Sequence, residues 1–137
     1  MSWEERIKLT SSCKDCENIP KHENAGKVCM ENNIKIQYMF NGIKIHYDSY
    51  HSPHTNDIIT NLKGHHEPQE ELCFYYLLNL LDNDANMLEL GCAWAYYSMW
   101  FKNTITNGIN ICIEPNINKL KKGIDNIKLN NLDFNKF

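Results

Sequence analysis

The feature that most constrains the fold is the stretch MLELGCAWAYYSMWF, at 87–101, with INICIEP following at 109–115. Met87–Leu90 reads as a short apolar strand that ends at Gly91. Ala93–Phe101 reads as a helix, and a turn through Asn107-Gly108 leads into the almost unbroken apolar run Ile109–Ile113. Such a run suits a parallel strand covered on both faces. Strand, crossover helix and strand form a βαβ unit, expected to be parallel and right-handed. Pro68 fits a first helical turn, and Glu70–Leu81 carries Leu72, Tyr75, Tyr76, Leu77, Leu78 and Leu81. After Pro115, Ile117, Leu120, Ile124 and Ile127 mark one helix face, with Lys119, Lys121, Lys122 and Lys128 outside it. From Gly64 the order is therefore helix, strand, helix, strand, helix, an α/β pattern.

Residues 34–47 carry a different signal, IKIQYMF-NG-IKIHY. A type I′ turn needs positive φ at both central positions, and Asn-Gly suits it best. With Asn41-Gly42 as that turn, Phe40 faces Ile43, Tyr38 faces Ile45 and Ile36 faces Tyr47. Those six share one face, and Lys35, Gln37, Lys44 and His46 take the other. A hairpin is marginal alone, so it is expected to lie over other structure. Residues 1–31 read as polar and irregular, apart from a short helix near Trp3–Leu9.

The chain has 137 residues, 42% of them hydrophobic and 23% charged, which is globular rather than disordered. No apolar stretch reaches the ~18–20 residues of a membrane span. The polar opening MSWEERIKLT lacks the apolar core of a leader, so a cytoplasmic location is expected. A net charge of -3 without a dense basic block argues against a nucleic-acid partner. Of six cysteines, Cys73, Cys92 and Cys112 lie in apolar runs, where a thiol acts as a small hydrophobe. Cys13 and Cys16, with His22 and Cys29, offer zinc-type ligands, but their spacing fits no finger pattern and a reduced loop is expected. His51-x-x-His54 lacks a third ligand at convincing spacing. No metal is expected.

The acids locate the chemistry. Glu89 and Gly91 close the first strand and Glu114 closes the second, and in an open parallel sheet ligands bind beyond the carboxyl ends of the strands. Glu114 lies 23 positions after Gly91, near the ~20-residue spacing of an acid that accepts ribose hydroxyls. Gly91 lets a ligand approach the backbone where a Cβ would obstruct it. A dinucleotide fingerprint would place small residues at Gly91, Ala93 and Tyr96, and Tyr96 is too large for the third position. S-adenosylmethionine has no pyrophosphate and asks for one close backbone approach and a ribose acid, which Glu89-x-Gly91-x-Ala93-x-Ala95 with Glu114 supplies. Trp94, Tyr96, Tyr97 and Trp100 suit either stacking on adenine or helix packing.

The stretch Glu89–Ser98 resembles the D-V-G-A-N-x-G-Y-Y-[ST] motif of FkbM-family S-adenosylmethionine-dependent methyltransferases, with Ala93 and Ala95 where Asn and Gly are usual. Glu114-Pro115, with Asn126 and Asn130 after it, resembles that family's second motif, and Gly64–Glu71 its acidic entry segment. The resemblance implies a Rossmann-like class I methyltransferase fold, here incomplete. A region at 1–60 with its hairpin at 34–47 would precede the first half of the methyltransferase domain at 61–137. It implies S-adenosyl-L-methionine as cofactor and O-methylation of a sugar, glycan or other small hydroxylated acceptor. Glu89, Gly91, Ala93, Ala95, Tyr96, Glu114 and Pro115 would meet the cofactor, Glu114 at the ribose. His65, His66 and Glu67 are the candidates for a base. The adenine-side acid and most of the acceptor wall have no counterpart before Phe137. The chain is therefore expected to be a fragment, inactive alone and prone to self-association or dependent on a missing C-terminal half. The alternative is a non-catalytic binding module that keeps the βαβ core.

Overall fold

A computed structural model describes residues 2–47, 49 and 53–137, without the side chains of residues 53, 54 and 136. It divides into two compact units, Met1–Tyr76 and Leu77–Phe137.

In the first unit, the left-handed pair Asn32 (φ 48°) and Asn33 (φ 65°) turns strand β1 (Val28–Glu31) into β2 (Ile34–Tyr38). This is the two-residue turn anticipated at Asn41-Gly42, in a different place. At the second hairpin, into β3 (Lys44–His46), the Gly42 N–H donates to Met39 O at 3.0 Å and only Gly42 has positive φ. Phe40, Asn41 and Gly42 thus form a three-residue loop, the kind built on a type I turn closed by a left-handed glycine. The register is Ile36↔His46, Gln37↔Ile45 and Tyr38↔Lys44, one residue away from the expected pairing. A one-residue slip exchanges the faces of one strand relative to the other. Gln37, expected outside, is fully buried beside Ile45. Its amide donates to Gly26 O, Asn56 O and Thr60 Oγ1 and accepts from Asn56 Nδ2 at 2.8 Å, so its burial is satisfied. On the other face, the Tyr38 hydroxyl and the Lys44 ammonium donate to Glu31 at 2.6 and 2.8 Å.

Helix α1 (Trp3–Ser11) opens on a reciprocal box between Ser2 and Glu5, matching the short helix read near Trp3–Leu9. Helix α2 (Pro53–Asn61), which supplies Asn56 and Thr60 to Gln37, had no counterpart in the sequence reading. The core of this unit is Ile36, Met39, Phe40, Ile43, Ile45, Ile58 and Ile59. Helix α3 (Pro68–Leu80) starts at the expected proline.

The second unit contains β4 (Met87–Leu90), α4 (Tyr96–Thr104), β5 (Asn110–Ile113) and α5 (Ile117–Leu129), with a short 3-10 turn at Phe134–Lys136. β4 and β5 pair in parallel, Met87↔Asn110 through Leu90↔Ile113. α4 begins three residues later than expected, because Ala93 (φ 45°) and Ala95 (φ 62°) are left-handed and no helix runs through them. The expectation that Ile109–Ile113 is covered on both faces fails. Leu88, Leu90, Ile111 and Ile113 alternate onto one bare face and are 57%, 72%, 52% and 49% exposed. The opposite face, with Glu89, Asn110 and Cys112, lies against α4. Mixed α/β architecture is what these elements establish. No helix is long and apolar enough to cross a membrane among the described residues.

Candidate functional site

The site is the turn between β4 and α4, at the carboxyl ends of the two parallel strands. Three alternate positions, Gly91 (φ 81°), Ala93 and Ala95, are left-handed. For alanine that conformation is costly and persists only where the surroundings impose it. Five hydrogen bonds and one close approach impose it here. The Gly91 and Cys92 N–H groups both donate to Ile113 O, and Ala95 N–H closes on Cys92 O at 2.6 Å. Ala93 N–H donates to Glu114 Oε2 at 3.1 Å. The buried Asn126 amide, on α5, donates to Trp94 O at 3.0 Å. Gly123, also on α5, sits so close that a Cβ there would lie 2.9 Å from Ala93 O and 3.1 Å from the Ala95 methyl. Of these anchors, Gly123 was not anticipated from sequence. Its only local signal is a glycine inside a strongly amphipathic helix.

Glu114 ends β5 as expected and faces the turn. Its Oε1 accepts from Asn116 N at 2.7 Å while Oε2 holds Ala93, so each oxygen carries one backbone bond and keeps further lone-pair capacity. Asn116 caps α5 by accepting from Asn118 N and Lys119 N, which fixes where Pro115 leads the chain. At Gly91 an added Cβ would meet no protein atom within 4 Å. The backbone there is open, and crowding by the protein is not what demands glycine; the positive φ is.

Glu89 stands one residue before the end of β4. It lies on the helix-covered face, where the Ser98 hydroxyl donates to it, and Ser98 also lies 2.9 Å from the Cys112 sulfur. Cys112, which receives a bond from the Cys92 thiol, is lowered from the usual thiol range, and donation to Cys112 and burial raise Cys92. Tyr96 is 1% exposed and stacked on Trp94 at 5.2 Å, with Trp100 at 5.9 Å. These rings pack on one another, and the Tyr96 ring is enclosed.

His65, His66 and Glu67 belong to the first unit. His65 and His66 are buried and both ring Nδ1 atoms meet the Glu71 carboxylate, itself fully buried. Glu71 also accepts from the N–H groups of His66 and Glu67, at 2.9 and 3.3 Å, just before α3. His66 Nε2 reaches Glu67 at 3.2 Å. Burial disfavours charge on both partners, yet the mutual attraction wins. His66 is raised to about 9 and Glu71 is lowered to about 2. Among the described residues no three His, Cys, Asp or Glu side chains gather to hold a metal. His22 is stacked on Tyr38 at 5.8 Å, apart from any ligand set with Cys13, Cys16 and Cys29. The His51-x-x-His54 pair falls outside the described side chains.

No protein-family model, curated protein or solved structure matches this chain.

Proposed function

We propose that the unit Leu77–Phe137 is the cofactor-binding part of an S-adenosyl-L-methionine-dependent O-methyltransferase of the FkbM type, acting on a sugar or other small hydroxylated acceptor. The observation that carries this reading is the pairing of Glu114 with the left-handed turn 91–95 across the ends of two parallel strands. The residues fit the group: the backbone at Gly91 is open to a ligand, and Glu114 retains lone pairs for two ribose hydroxyls. When bound, the cofactor supplies an already reactive methyl sulfonium. The chain's part is to hold it, through Glu114 at the ribose and the 91–95 backbone beside Gly91, and to exclude water.

Each hydrogen bond to a charged acceptor is worth about 1.5–3 kcal/mol. Glu114→Ala is therefore expected to weaken S-adenosylhomocysteine binding, measured by calorimetry, at least about tenfold. Unchanged affinity removes Glu114 from the site, and NAD binding by the unaltered chain overturns the reading. One observation favours a second reading, a non-catalytic module that keeps the βαβ core: both Glu114 oxygens already serve the backbone. On that reading S-adenosylhomocysteine does not bind, and Glu114→Ala lowers stability alone.

A further inference from the structure

The first unit holds a cavity of about 420 Å³ where the carboxyl ends of α1 and α2 meet the segment 13–21. That volume falls in the range of small-molecule sites. His65 lines it. The ring is 1% exposed and stacks on Phe40 at 4.2 Å, and its Nδ1 is taken by Glu71, which is not a lining residue. The opposite ring edge, Nε2, is buried and has no hydrogen-bond partner. Leaving such an atom unsatisfied costs about 1–3 kcal/mol. With Nδ1 turned to a carboxylate, Nε2 is the ring position left for a ligand.

The other polar groups of the cavity sort themselves by what they already do. Cys13 accepts from Gln69 at 3.1 Å and donates to Asp15, and Cys16 donates to Pro68 O at 2.9 Å. Burial, with help from Glu71, pushes the Cys16 thiol up to about 12, so it is no nucleophile near neutral pH. Lys21 spends its three protons on the carbonyls of Cys16, Glu17 and Ile19. Lys14 and Lys63 also line the cavity and make no ion pair among the described residues, so even with Glu17 present the lining carries excess positive charge.

We propose that this cavity binds a small hydroxylated anion, a sugar phosphate or a sugar acid, with a ligand hydroxyl hydrogen-bonded to His65 Nε2 and the anionic group held by Lys14 and Lys63. The site is independent of the methyltransferase reading.

The test titrates the full chain with glucose 6-phosphate, gluconate and neutral glucose. Long-range proton–nitrogen spectra follow the His65 imidazole, and calorimetry gives affinities. Either anion should shift the His65 Nε2 resonance below about 10 mM, with glucose weaker by about tenfold or more. Which anion binds more tightly identifies the phosphate or the carboxylate as the preferred group. Lys14→Ala with Lys63→Ala, both exposed positions, should weaken the anion about tenfold with the fold intact, and Glu114→Ala should leave it unchanged. A silent His65 resonance, equal binding of glucose, or indifference to the lysine changes overturns the proposal. Loss of binding in Glu114→Ala overturns it too, by moving the ligand elsewhere.

Discussion

At the scale of single residues, the cluster of His65, His66 and Glu71 sets how the first unit responds to pH. Glu71 lies at about 2 against an ordinary 4.5, so its contribution is present above 4.5 and is lost as pH falls towards 2. His66 lies at about 9 against 6.5, so its contribution is full below 6.5 and is lost as pH rises through 9. The cluster stabilises most between 4.5 and 6.5. Hydrogen exchange should show protection of residues 2–47 falling between pH 6.5 and 9, after correction for intrinsic rates. Glu71→Gln removes the buried partner and leaves His66 with the partly exposed Glu67 alone, at a cost of about 3–5 kcal/mol. Denaturant unfolding at pH 6 should show that loss, and the slope above 6.5 should shrink. A variant within about 0.5 kcal/mol of the parent would mean that the pair contributes nothing net. None of this was readable in GHHEPQEE, since two histidines and a row of acids look the same in a solvated loop.

At the scale of elements, the two hairpins differ in a way that substitution can expose. Asn33 is left-handed, so Asn33→Gly relieves backbone strain and should stabilise by a few tenths to about 1 kcal/mol. Asn41 is not left-handed and its Oδ1 accepts from Ile43 N, so Asn41→Gly should destabilise by about 0.5–1 kcal/mol. Thermal melts of the two variants shifting in the same direction would contradict the turn assignment. Asn-Gly serves two-residue and three-residue loops alike, and the choice between them was not local. It rests on β1 and on the bonds from Gln37 to α2, which no pattern within 34–47 reveals. β1 itself, VCME, carries no clear alternation. By contrast β4, β5 and α5 were legible, because strand, glycine turn, strand and amphipathic helix each announce themselves within a few residues. The bounds of α4 were not, since nothing in Ala93 and Ala95 signals a left-handed backbone. Glu114 was legible as a strand-end acid facing the turn. Which face of β4 Glu89 takes was not legible, because its spacing carries no such signal.

At the scale of the whole molecule, each unit keeps its own chemistry: a buried charge cluster and a cavity in the first, a strained turn at two strand ends in the second. The second is also turned inside out relative to an ordinary half-sheet. Glu89, Asn110 and Cys112 are on the covered side, and Leu88, Leu90, Ile111 and Ile113 are bare. Contiguous apolar surface of this kind marks a contact surface or an aggregation liability. The drive to cover it weakens on cooling, as apolar burial does generally. Sedimentation near 5 °C should therefore find smaller species than at 30 °C, and Leu90→Lys with Ile113→Lys should abolish the difference at little cost in fold. A mass independent of temperature would show that the bare strands do not drive association. For anyone handling the protein, the bare strands are expected to act as an adhesive that warmth sets and cold releases: purification then belongs in the cold room, and precipitation on warming should reverse on ice.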